Sequence, residues 1–182
     1  AEFYTLNPAS GEVALLAPYE DALGSSVGSD CRLGGGREWV QEGDKLYFVT
    51  TLGGASQVYC LEEAGEIRPV YTQAGSVDCI DAAEGSLYFV GMQDGKLQEL
   101  YRWGCRAQER DQLTTLNEQV LAGRYVALPQ ALPYENDGVD LEGWVLLPKD
   151  FDPQKSYPAI LDIHGGPKTV YGEVFYHEMQ YW

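Results

Sequence analysis

The chain has 182 residues, 45% of them hydrophobic and 12% aromatic, which is enough apolar matter for a packed core and too much for wholesale disorder. Twelve Lys and Arg against 28 Asp and Glu leave a net charge of −16, which opposes nucleic acid and anionic membrane surfaces as partners, both being negative. No apolar run approaches the ~18–20 residues of a membrane span, and Ala1 to Pro8 carry neither the basic start nor the apolar stretch of a secretory signal.

Taken in chain order, Phe3–Leu6, a turn at Asn7-Pro8-Ala9-Ser10-Gly11, and Glu12–Leu16 read as a hairpin. Gly24-Ser25-Ser26-Val27-Gly28 then spells GxSxG. A nucleophile elbow follows a buried strand and opens a helix. Here the flanks are Pro18–Leu23 and the Gly34-Gly35-Gly36 run, which have loop texture, so Ser26 is not expected to be a nucleophile.

A repeat begins beyond the glycines. Asp44-Lys45-Leu46-Tyr47-Phe48-Val49 returns as Gly85-Ser86-Leu87-Tyr88-Phe89-Val90, with Leu46 and Leu87 separated by 41 residues (87 − 46 = 41), and the same offset carries Gln57 to Gln98. Within the first copy, Lys45–Leu52, Gln57–Leu61 and Ile67–Thr72 are short, β-branched or aromatic and bounded by Gly-rich or acidic turns. The second copy offers Val77–Ala82, Leu87–Met92, Leu97–Trp103 and Gln112–Leu116. Four strands in about 40 residues is the period of a β-propeller blade, a unit that buries its faces only against its neighbours. Residues 1–117 are therefore expected to supply about two blades, with the first hairpin as the outer part of an earlier one.

After residue 117 the texture changes. Pro129, Pro133 and the Glu135-Asn136-Asp137-Gly138 turn mark a boundary, so 118–182 is expected to form a linker and a second unit. Leu141–Leu147 alternates as a half-exposed strand, whereas Ala159–Ile163 is nearly all apolar, as in a strand covered on both faces. Phe175, Met179 and Trp182 recur at helical spacing and predict the start of an amphipathic helix. The four cysteines, Cys31, Cys60, Cys79 and Cys105, form no CxxC pair. Three lie in apolar strand-like segments, where a free thiol acts as a small core residue, and a reducing cytoplasm is the expected compartment.

The chemistry concentrates at His164-Gly165-Gly166-Pro167, between the apolar segment and the helix. Glycine lets the main chain turn sharply and present bare N–H groups, and the loop after the third strand of an α/β-hydrolase donates one oxyanion-hole N–H. Pro167 fixes its own φ and restricts Gly166. Gly165-Gly166 could also be an ordinary strand-to-helix turn, and His164 reads as a loop-shaping residue before a base. His177-Glu178 lacks the second His of HExxH and reads as an exposed helical pair, so no metal is expected.

Leu141-Glu142-Gly143-Trp144-Val145-Leu146-Leu147-Pro148, Phe151-Asp152, Tyr157-Pro158, Ile160 through Pro167 and the pair Tyr171-Gly172 together resemble the opening of the S9 (prolyl oligopeptidase) peptidase catalytic domain, as in acylaminoacyl-peptidases. The resemblance implies a mostly β chain, with the C-terminal blades of a β-propeller followed by the first strands and first helix of an α/β-hydrolase domain. It implies His164, Gly165 and Gly166 as the oxyanion-hole segment, peptide substrates, no cofactor, and possible homo-oligomers. With His164 and His177 the only histidines and no Ser beyond Ser156, a Ser–His–Asp triad cannot be assembled from these residues. The triad is expected outside the segment, which would itself be inert. An esterase, or a non-catalytic propeller with a hydrolase remnant, is the alternative.

Overall fold

The computed structural model of the chain describes residues 1–166 and 168–182. The expectation attached to Pro167 lies outside the described residues.

Strands β1 (Glu2–Leu6) and β2 (Val13–Pro18) pair antiparallel around Asn7, whose Oδ1 accepts the amides of Ala9 and Ser10. Two four-stranded antiparallel meanders follow. The first runs β3 (Trp39–Glu42), β4 (Lys45–Leu52), β5 (Ala55–Glu62), β6 (Ile67–Tyr71), and the second β7 (Cys79–Ala83), β8 (Ser86–Gly91), β9 (Glu99–Gly104), β10 (Glu109–Gln112). The 41-residue repeat is thus a repeat of whole sheets: β4 maps on β8 and β6 on β10.

Strand alternation sorts the side chains into two cores. Phe48, Leu61 and Tyr59 pack with Phe3, Ala17 and Tyr19 of the first hairpin, the Phe3 and Phe48 rings 4.9 Å apart. Tyr47, Val49, Val58 and Cys60 project from the other face and meet Leu87, Phe89, Tyr101 and Trp103 of the second meander. Tyr71 closes this interface, its ring 4.9 Å from Phe89 and 5.1 Å from Trp103. Three β layers stacked face to face result, the arrangement of consecutive propeller blades. The chain is mostly β, as expected.

Two strands differ from the sequence reading. Trp39–Glu42 is a strand beyond those the sequence predicts, and the last strand lies at Glu109–Gln112 rather than Gln112–Leu116. Both are short and first or last in their sheets; Glu109–Gln112 is wholly polar and Trp39–Glu42 pairs two apolar with two polar residues, so neither shows the alternation that marks a half-buried strand. Residues 113–117 instead wrap the Glu99 carboxylate, which accepts from Thr114 Oγ1 and the Leu116 and Asn117 amides.

Beyond α1 (Glu118–Leu121), the Asp137-Gly138 turn joins β12 (Tyr134–Asn136) to β13 (Val139–Leu141), nested inside the pair β11 (Gln130–Ala131) and β14 (Trp144–Val145). The expected single strand Leu141–Leu147 is thus broken at Glu142-Gly143, where Leu132 N–H donates to the Gly143 carbonyl. Ala159–Ile163 is not a buried strand: it is irregular, with Ile160, Leu161 and Ile163 exposed by 66%, 85% and 79%. An apolar strand needs a hydrogen-bonded neighbour and a covering layer, and among the described residues none pairs with this segment. The helix is shorter than expected, α2 (His177–Tyr181), with His177 and Glu178 exposed as predicted. Among the described residues, no helix is long and apolar enough to cross a membrane.

Candidate functional site

Residues 24–32 leave the first hairpin and cross the ends of β4 and β5 as a strap. Gly24 N–H donates to the Val49 carbonyl at 2.8 Å, and Ser26 N–H to Thr51 Oγ1 at 2.9 Å. Ser25 Oγ meets Ser56 Oγ at 2.6 Å, and its amide donates to Glu38 Oε1. Arg32 ties the strap to the second meander: its Nη1 donates to the Ser25 carbonyl, and its Nε lies 3.2 Å from Oδ1 of the buried Asp78. Burial pushes the Asp78 carboxyl up, against the opposing pull of Gln98, Arg32 and Ser76.

The strap's outer side carries the segment that follows His164-Gly165-Gly166. Val27 and Val170 form a parallel bridge, with Gly28 N–H on the Val170 carbonyl at 2.9 Å and Val170 N–H on the Ser26 carbonyl at 3.1 Å. Ser29 Oγ donates to the Phe175 carbonyl at 2.7 Å. Below these bonds Val27, Met92, Val174 and Phe175 form a buried apolar cluster.

Between strap and loop lies a cleft of about 520 Å³, lined by Ser25, Ser26, Val27, Gly28, Ser29, Arg32, Gly166, Lys168 and Thr169. Gly166 stands at its rim with φ of +112°, and a Cβ there would press on the Lys168 and Thr169 amides, so the position suits glycine. Of the predicted site residues, Gly166 therefore reaches the cleft. Gly165 is exposed beside it, and His164 turns to its own loop, Nδ1 3.0 Å from the Gly165 carbonyl and its ring edge-on to Tyr171. Tyr171 O–H donates to Asp162 Oδ2 at 2.7 Å; burial, and then this bond, raise its pKa.

Ser26, set aside on sequence grounds, lines the same cleft. It sits on irregular chain rather than a strand–helix elbow, and among the described residues no histidine hydrogen-bonds it. The strap itself and Arg32 were missed as site elements. A Gly- and Ser-rich stretch was the available signal, but its partners on the loop side lie more than 140 residues away.

The motif residues outside the loop converge on the β4–β5 turn. A Cβ on Gly54 would overlap the Trp144 indole, and one on Gly172 would overlap the Gly54 carbonyl. Trp144 and Tyr171-Gly172 therefore pack against the β4–β5 turn of the first meander.

No family model matches the chain. The uncharacterized peptidase YuxL of Bacillus subtilis is 26% identical over 164 residues, covering 87% of this chain and 25% of that relative. The acylaminoacyl peptidase of Pyrococcus horikoshii superposes with a TM-score of 0.63 at 28% identity, over 79% of this chain and 23% of that one. A puromycin hydrolase structure, 16% identical, matches 98% of this chain with a TM-score of 0.62 and so shares the fold. The chain spans about a quarter of the length of these proteins. The resemblance to peptidases carried by the sequence motifs thus extends over most of the chain.

Proposed function

We propose that this chain is part of a serine peptidase of the acylaminoacyl-peptidase or dipeptidyl-peptidase type. In this reading residues 1–117 are propeller blades, and 118–182 are the linker and opening of an α/β-hydrolase domain. The nucleophile Ser, the base His and its orienting carboxylate come from the rest of the whole protein. The observation that carries the reading is Gly166 at positive φ on the rim of a cleft walled by the strap.

The chemistry assigned to this segment is electrostatic. As the Ser Oγ adds to the scissile carbonyl, negative charge collects on the carbonyl oxygen, and an N–H of the Gly165-Gly166 segment donates to it. Such a donor acts mainly in the tetrahedral state and is worth about 3–4 kcal/mol of barrier. The blades limit access to the site, and peptides are the substrates. Four free cysteines support a reducing compartment such as the cytoplasm.

The test is turnover by the whole protein of an N-acylated peptide p-nitroanilide beside a simple p-nitrophenyl ester. Peptide turnover abolished by a serine-directed phosphonate is the expected result. Ester hydrolysis alone would move the reading to an esterase, and absence of both activities would leave an interaction module.

A further inference from the structure

The short helix α2 begins without a cap of its own: Tyr176, at its N-cap, makes no side-chain hydrogen bond to it. The first amides of a helix have no partner within it, and a side-chain acceptor normally supplies one. Here the acceptor comes from the strap. Asp30 Oδ1 takes the His177 amide at 2.7 Å and Oδ2 the Glu178 amide at 2.8 Å, a carboxylate bridging two successive N–H groups from 147 residues away.

This contact ends a continuous series. Ser26 and Gly28 bond Val170, Ser29 bonds Phe175, and Asp30 bonds His177 and Glu178. The strap that presents them is fixed to the first meander through Val49, Thr51 and Ser56, and to the second through Asp78. Gly166 lies only four residues before Val170.

We infer that Asp30 is a positioning residue: through α2 and the Val170 bridge it keeps the oxyanion segment in register with the blades. The catalytic half of this inference rests on the peptidase reading above. The blades then act as more than a cover, because the strap sets where the Gly165-Gly166 amides stand. Loosening it misplaces a donor that acts in the transition state, so kcat falls while ground-state binding is kept.

The experiment compares Asp30→Ala and Asp30→Asn with the wild type in the whole protein. Asp30 is exposed, so neither change opens a buried hole. Hydrogen exchange of the peptides covering residues 170–182 reads the cap directly. Kinetics on a peptide p-nitroanilide and affinity for a peptide aldehyde, which forms a tetrahedral adduct, read the oxyanion donors.

In Asp30→Ala, exchange in this segment is expected to rise about tenfold, as for a lost cap. We expect kcat to fall about tenfold with KM within about twofold, and aldehyde affinity to weaken in step with kcat. Asp30→Asn, which keeps one acceptor oxygen, recovers part of each loss. Unchanged exchange would overturn the inference, as would faster exchange with wild-type kcat. A wild-type protein inert on peptides would overturn the peptidase reading instead, and exchange would still decide whether Asp30 holds the segment.

Discussion

Gly172 lies so close to the carbonyl oxygen of Gly54 that a Cβ at 172 would overlap it. The obstacle is backbone, which cannot rotate aside as a side chain can. Gly172→Ala is therefore expected to push residues 170–175 off the β4–β5 turn at a cost of about 1–3 kcal/mol. Urea unfolding followed by tryptophan fluorescence checks this, since Trp144 sits on the same turn. A midpoint unchanged from wild type would show that the turn yields freely.

The repeat makes a second expectation quantitative. Leu46 and Leu87 hold the same repeat position, but Leu87 is 0% exposed between two sheets whereas Leu46 is half-buried under the first hairpin. Leu87→Ala should cost about 2–5 kcal/mol, and Leu46→Ala distinctly less. Thermal unfolding of the two variants side by side decides it, and equal losses would contradict the layer assignment.

Two buried carboxylates act in opposite directions with pH. Burial works against the charge on Glu99, but the bonds from Thr114, Asn117 and Leu116 outweigh it and hold its pKa below the ordinary value. A depressed pKa contributes stability that is present above the unfolded value and lost as pH falls through the folded one. Asp78, raised by burial, contributes its full share at low pH and loses it as pH climbs from its ordinary value through the raised one. Glu99→Gln should flatten the fall in urea stability on acidification, and Asp78→Asn should flatten the opposing trend. Urea midpoints measured at steps from pH 3 to 7 separate them.

On the peptidase reading, Gly166→Ala lowers kcat/KM by roughly 10²–10³ while thermal stability changes little. Alanine strains the φ of +112° and moves the amide that donates to the oxyanion, whereas the loop itself is exposed and supports no core. Activity within tenfold of wild type would remove Gly166 from the reaction.

What the sequence determined by itself was the part whose contacts are local. Leu46-Tyr47-Phe48-Val49 and its echo at Leu87 announced strands because short aromatic and β-branched runs between turns favour the extended chain and repeats copy whole sheets. Asp137-Gly138 announced a turn, and Gly166 a position reserved for glycine, since both are properties of one or two residues. Tertiary structure alone decided what depends on distant neighbours. Glu109–Gln112 is a strand because β9 offers it a ladder, not because its charged residues prefer one. Ala159–Ile163, the most strand-like run by composition, is irregular because among the described residues nothing pairs with it. The loop of His164, Gly165 and Gly166 was legible as a motif. The strap from Gly24 to Arg32 that shapes its cleft was not, because hydrogen bonds to residues some 140 positions away leave no periodicity or spacing to read.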